Sequence, residues 1–436
     1  MKAVTLLLCT LLPFFSSVLC QEELHWVLLV AGSNGYYNYR HQADICHAYH
    51  VVRSHGIPDE RIVVMMYDDI ANNEENPVPG NIINRPEGPN VYQGVPKDYT
   101  GKEVTPDIFL KVLTGDSEGV KAVLGRDGKV IKSGPNDRVF VNFADHGAPG
   151  FLAFPTDMLK AQDLHKAIKS MHKNKQYKQM VFYVEACESG SMFDNLLESD
   201  INVFATTAAN PDESSYACYY DDKRQTYLGD VYSVMWMEDS DKENLKSETL
   251  QSQFKIVKSE TNTSHVMEYG DLSLGKLKVA DFQGNYTKSS LLFTPDRKMH
   301  PTADAVPSED VALEILKRKV ATASGDAGIR HRAALHGLLK KKEQTQEFFK
   351  NVVGLVTESH LYSYLIAAPL KFSDFSCYTE SIRLIREMCP GMNLVQNDYG
   401  LRQLRVLANL CESQVQSETI WAAIGKVSYE SNFCYA

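Results

Sequence analysis

Cys187 closes the apolar run VFYVEACES, and His146 closes a second, VFVNFADHG, 41 positions earlier. A thiol and an imidazole are the two parts of a covalent catalyst: the thiolate attacks a carbonyl and the imidazole handles the proton. Singly, neither residue says much. A cysteine after a strand is commonly a small buried hydrophobe, and a lone histidine is commonly a surface or satisfied core residue. The neighbours change that reading. Gly147 follows the histidine and lets a backbone amide approach a ligand closely. Glu185, Ser189 and Gly190 surround the cysteine. The amides of Gly147 and Cys187 together would make an oxyanion hole.

Two strands must deliver these groups. Val139–Phe143 and Val181–Val184 read as buried strands, and Leu164, Ile168 and Met171 between them recur at helical spacing. A strand, crossover helix and parallel strand is wound right-handed, which leaves both carboxyl ends on one edge of the sheet. Open α/β sheets carry their ligands at that edge. Residues 25–31, 61–67 and 202–209 read as further strands, with a helix through Ala43, Ala48 and Val52. The fold class is therefore α/β with a mostly parallel sheet flanked by helices. GSNG at 32–35 lacks the spacing of a dinucleotide loop. Residues 70–104, rich in Pro, Gly and Asn, read as a long loop, and Thr105-Pro106 as the start of a short helix. Residues 208–230 read as a second irregular stretch over the same edge.

The chain has 436 residues, 44% hydrophobic content and a net charge of −10. Two or three domains are expected. Nucleic acid is not expected as a partner, because no basic stripe with interleaved aromatics appears. Residues 1–20 have the plan of a secretory signal: Lys2, an apolar stretch, then small residues before a cleavage after Cys20 or Ser17. No later run is long and apolar enough to span a membrane. Asn262 and Asn285 head glycosylation sequons. From 331 onward strand patterns vanish and amphipathic helices take over. That tail holds 11 Lys/Arg and 10 Asp/Glu, a net +1, which leaves −11 for the body. It also holds Cys377, Cys389, Cys411 and Cys434, which read as two disulfides with three possible pairings. The domains read as a signal over 1–20, an α/β body over 21–288, a proline-punctuated connector over 289–330 and a helical tail over 331–436. A zinc site built from His146, Cys187 and Cys218 has no metal-like spacing.

The motifs AGSNGYYNYRHQAD, DDIA, YQGVPKDYTG, ADHG, EACESGSM, TTAANPDESSYACYY and TYLGD occur in this order. In this the chain resembles the legumain family, the asparaginyl endopeptidases, over essentially its whole length after the signal. The resemblance implies a caspase-like fold and a C-terminal prodomain that covers the active site. It makes Cys187 the nucleophile, His146 its proton partner, Asn38 the group that orients His146, and Gly147 and Cys187 the oxyanion hole. Arg40, His41, Glu185, Ser215 and Asp230 would line a pocket for the substrate's carboxamide. A carboxamide offers one acceptor oxygen and one donor nitrogen. Arg40 can serve the first, and Glu185 and Asp230 the second. The resemblance also pairs Cys377 with Cys411 and Cys389 with Cys434. It implies no cofactor and no metal. It implies peptide substrates, the chain's own prodomain and cystatin-type inhibitors as partners, and delivery to a lysosome-like compartment. Ligation by the same acyl-enzyme, or silent peptide binding, are the rival readings.

Two departures stand out. Residues 114–116 are Thr-Gly-Asp, so the Arg-Gly-Asp signal of some relatives is absent. Residues 286–350 contain no Asn. Self-cleavage in the connector would therefore have to follow an Asp, among Asp296, Asp304, Asp310 and Asp326. Gly325 and Gly328 flank Asp326 and mark it as the accessible choice.

Overall fold

A computed structural model describes residues 23–285, 300–370 and 373–435. The signal, Asp296 and residues 286–287 of the second sequon lie outside the described residues. The body is built on a six-stranded sheet in the order Met267–Gly270, Val203–Thr207, Gln179–Glu185, Arg138–Ala144, His25–Ala31, Ile62–Met65. The pairings are parallel except for Met267–Gly270, which runs antiparallel to Val203–Thr207. The inner strands are buried on both faces because helices cover both. This explains why they read as unbroken apolar runs rather than alternating ones. The helices Tyr39–Ser54 and Val231–Lys242 help cover one face. Pro106–Leu113 and Ala161–Lys173 help cover the other, the latter through Leu164, Ile168 and Met171 as its spacing requires. Thr105 caps its helix by accepting from the Ile108 amide at 3.2 Å.

Residues 208–230 are more regular than expected. Tyr216–Asp221 and Thr226–Asp230 form an antiparallel hairpin. Tyr and Thr density favours strand there, and Gln225 takes a left-handed conformation (φ 52°) in the turn. Residues 70–104 form the expected long loop, with a single short turn of helix at Gly101–Glu103.

Within the connector the run VALEILKRKV at 311–320 reads as helical, and Val311–Thr322 is a helix; Gly325–Val356 is one continuous helix of 32 residues. The 330/331 boundary therefore falls inside a helix. Asp326 sits exposed in the first turn of that helix, not in an extended strand. The helices Phe375–Met388, Asp398–Cys411 and Ser417–Glu430 complete a bundle stapled by Cys377–Cys411 and Cys389–Cys434. Cys46, Cys187 and Cys218 are unpaired and buried. The tail core runs into the body through Ala148, Phe151, Ala153 and Met158. Asn262 and Asn285 are both exposed.

Candidate active site

The strands Arg138–Ala144 and Gln179–Glu185 pair in parallel with Ala144 opposite Glu185, an offset of 41 residues. The same offset separates His146 from Cys187. Both therefore leave the sheet at one level from neighbouring strands, and the Asp145 amide bonds the Glu185 carbonyl at 3.1 Å. Gly147 lies against this turn. A Cβ there would stand 2.1 Å from the Cys187 carbonyl oxygen, so no side chain fits. Glu188, directly after the cysteine, takes a left-handed conformation (φ 49°) although fully buried. Strain of this kind persists only where surrounding structure holds it.

His146 is oriented by Asn38. Asn38 Nδ2 donates to the Asn34 carbonyl at 3.0 Å, which leaves its Oδ1 as the atom 2.9 Å from His146 Nε2. An amide oxygen only accepts, so Nε2 carries a proton and Nδ1 is the ring's acceptor. Burial, then the Arg40 charge, holds the imidazole well below its usual range. The Cys187 thiol lies 3.7 Å from Ser215 Oγ and 3.9 Å from Glu309 Oε2. Burial, and after it the Glu309 charge, pushes that thiol well up. In this covered state Cys187 is held as a thiol.

Arg40, His41, Glu185, Ser215 and Asp230 are all buried. Arg40 Nε donates to Asp230 Oδ1 at 2.9 Å. His41 Nδ1 meets Ser33 Oγ at 2.7 Å, and its Nε2 lies 3.6 Å from Asp230 Oδ2. Glu185 Oε2 accepts from the Ser233 amide and hydroxyl at 2.9 and 3.0 Å. Glu185 Oε1 and Asp230 Oδ2 are buried without a hydrogen-bond partner. The cluster thus pairs a donor with unfilled acceptors. Cys218 is buried in the core with Leu228 and Val231 and pairs with Gly229 on the neighbouring strand.

The sequence pointed to the tail as the cover of the cleft but not to the connector, which reaches it as well. Asp304 accepts from the Tyr219 and Tyr220 amides at 3.0 and 2.6 Å. Val306 and Pro307 pair antiparallel with Ala217 and Tyr216. The Ser308 amide donates to the Ser215 carbonyl at 2.9 Å, and Arg40 Nη2 donates to Ser308 Oγ at 2.6 Å. Residues 304–309 therefore add a strand to the hairpin, as an extended peptide adds to a sheet edge. Ser308 meets Arg40, and Glu309 sits beside Cys187. From the tail, Asp398 Oδ1 lies 3.4 Å from His146 Nε2. Arg402 pairs with Glu188, and Arg405 with Asp212 at 2.8 Å. An SED tripeptide in a connector carries no signal that could have revealed this. Asp44 and Ser233 were also missed, though Asp44 follows Arg40 by four residues on one helix.

Residues 25–285 match the peptidase C13 family model, and residues 334–428 match that of the legumain prodomain. The chain is 52% identical to legumain of Rattus norvegicus over 410 residues, 92% of either chain. It is 52% identical to that of Homo sapiens over 390 residues, 89% of either. To a vacuolar-processing enzyme of Citrus sinensis it is 39% identical over 427 residues, 90% of this chain and 82% of that one. A solved caspase-1 of Spodoptera frugiperda aligns with 57% of this chain and 87% of its own at 10% identity, with a TM-score of 0.33, too slight a likeness to argue from.

The site geometry makes two expectations for the acid-activated protein. Cys187→Ala should fold yet cleave no peptide. Gly147→Ala should fold but lose activity by about a hundredfold, the scale of losing one oxyanion donor, because its Cβ must displace the Cys187 carbonyl. Peptide turnover checks both, and wild-type rates in Gly147→Ala would refute the close approach.

Proposed function

This chain belongs to the peptidase C13 family and carries a legumain prodomain, so it is a cysteine endopeptidase, and we propose that it cuts peptide bonds after Asn, and after Asp at low pH. His146 Nδ1 takes the Cys187 proton, and the thiolate attacks the scissile carbonyl. The Gly147 and Cys187 amides receive the resulting oxyanion. His146 returns the proton to the leaving amine, and water then hydrolyses the thioester. The observation that carries the specificity is the pairing of Arg40 with two unfilled acceptors, Glu185 Oε1 and Asp230 Oδ2. Arg40 suits a carboxamide oxygen and the acceptors suit its NH2 group. A side chain lacking that pattern leaves buried polar groups unmet. Ligation would use the same thioester with an amine in place of water.

Asp substrates test the pocket. A protonated carboxylic acid offers one donor and one acceptor, whereas a carboxylate only accepts and would face Glu185 and Asp230 as like charges. With an ordinary Asp pKa of about 3.9, cleavage after Asp should rise steeply from pH 6 to pH 4. Equal rates at both values would refute the pocket.

The prodomain acts as the inhibitor, and we infer that acid releases it, in keeping with delivery to a lysosome-like compartment. Burial first, then the Arg40 charge, holds His146 well below its usual range while covered; opening lets it rise, so its protonation favours release. Glu188, raised to about 8 by burial while Arg402 pulls it down, and Asp398, raised to about 6 by burial, act in the opposite sense. The Arg402–Glu188 pair ties the tail to the body, so Arg402→Ala should cleave Asn peptides at pH 7 without prior acid. A variant that still needs acid would show the pair to be idle.

Ser308 explains why the covering strand survives: it reaches Arg40 without presenting a carboxamide. Ser308→Asn should be cut between residues 308 and 309 on acidification, read as a new terminus by mass spectrometry, and an uncut strand would count against this placement. Natural self-processing is proposed after Asp326, where the first helical turn must fray. At pH 4 wild-type protein should gain that C-terminus, and Cys187→Ala should not.

A further inference from the structure

Asp44 lies one turn beyond Arg40 on the Tyr39–Ser54 helix, so the two share a face. It is buried. Its Oδ1 accepts from Asn84 Nδ2 at 2.7 Å. The Asn84 amide has one possible orientation, because the same Nδ2 donates to the Leu228 carbonyl at 2.9 Å, and a carbonyl only accepts. Gly229 passes so close that a Cβ there would stand 2.9 Å from Asn84 Nδ2 and 3.2 Å from Asp44 Oδ1. Asn84 Oδ1 must then accept from His47 Nδ1 at 2.7 Å, and His47 Nε2 meets Asp241 at 2.9 Å. Asp44 is the inner end of this directed chain.

Asp44 Oδ2 and Asp230 Oδ2 are both buried and neither has a hydrogen-bond partner, and Gly229, next to Asp230, packs against Asp44 Oδ1. Each carboxyl bears on the other's protonation. Two carboxylates have no proton to donate, whereas one proton between them would satisfy both oxygens. Asp230 is the worse place for it, because Arg40 donates to Asp230 and favours its charged form. Asp230 and Glu185, with the Cys46 thiol of the same helix and the Cys218 thiol of the hairpin, are the ionisable groups that interact with Asp44. Burial, then the charges of Asp230 and Glu185, raises the Asp44 carboxyl well above its usual range.

We propose that Asp44 carries a proton and donates it to Asp230 Oδ2, and that this bond positions Asp230 beside Arg40 to receive the substrate's carboxamide. Asp44 is then a positioning residue for specificity that touches no substrate. Its donation fills one lone pair of Asp230 Oδ2 and leaves the second for the incoming NH2 group. It also spares the pocket a third negative charge. The proposal rests on the specificity pocket set out above.

Asp44→Ala, Asp44→Asn and Asp230→Ala, made in the full chain and acid-activated, test it. Alkylation of Cys187 counts competent enzyme in each, and kcat and KM are measured on Asn peptides and on matched Ser peptides. Asp44→Ala strands a buried acceptor, so kcat/KM for Asn peptides should fall about tenfold or more, chiefly through KM. Asp44→Asn keeps a donor for Asp230 and an acceptor for Asn84, so it should rescue activity to within about threefold. Failure of that rescue would mean that Asp44 acts as a charge, and would overturn the proposal. Should Asp44→Ala not fold, Asp44→Asn decides alone. If Asp44→Ala keeps wild-type KM while Asp230→Ala loses its preference for Asn, the pocket stands and the role of Asp44 falls. If Asp230→Ala also keeps that preference, the pocket reading fails and takes this proposal with it.

Discussion

The parallel, in-register pairing of Arg138–Ala144 with Gln179–Glu185 is the constraint on which the site depends. Backbone hydrogen bonds hold the two strands at one offset, and that offset equals the separation of His146 from Cys187. A one-residue slip would send every side chain of one strand to the opposite face. The buried faces forbid that, since Phe140, Val181 and Tyr183 fill one cluster and Val141, Phe182 and Val184 fill the other. Catalytic geometry is thus inherited from the packing of the sheet. Gly147 completes it by removing the only side chain that would push the two turns apart.

The second organising fact is a fully buried guanidinium. A buried charge is tolerated when it is paired and its remaining donors are met. Asp230 meets one donor of Arg40 and Ser308 meets another. In the covered protein Ser308 meets the Arg40 donor that the proposed specificity pocket would offer to a substrate side chain. The hairpin edge does likewise for the backbone, since a sheet edge left open offers unpaired amides and carbonyls to any extended peptide. The connector is simply the peptide that is always near.

Much of this was legible in the residues. The long apolar runs around Cys187 and His146 carried a strong strand signal, and the helical repeat of Leu164, Ile168 and Met171 carried the crossover. The hairpin at 216–230 was harder to see. Its Asp, Lys, Gly and Asn neighbours resemble a loop, and its strands gain regularity from the partner they find at Val306–Pro307. Asp326 misled for a related reason. Two nearby glycines suggest an open segment, but a 32-residue helix gains more from continuing its hydrogen bonds than it loses to glycine in its first turn.

The sequence by itself determined which groups exist to do chemistry, the period of the elements that carry them, and the order of motifs that marks the family. These are local properties, and a single chain states them openly. Tertiary structure decided what those groups face. It put Ser308 on Arg40, Asp398 near His146, Arg402 on Glu188, and Asp44 against Asp230. Each of those pairs joins residues far apart in the chain. Its strength comes from the exclusion of water, which no stretch of sequence possesses until the whole chain has closed around it.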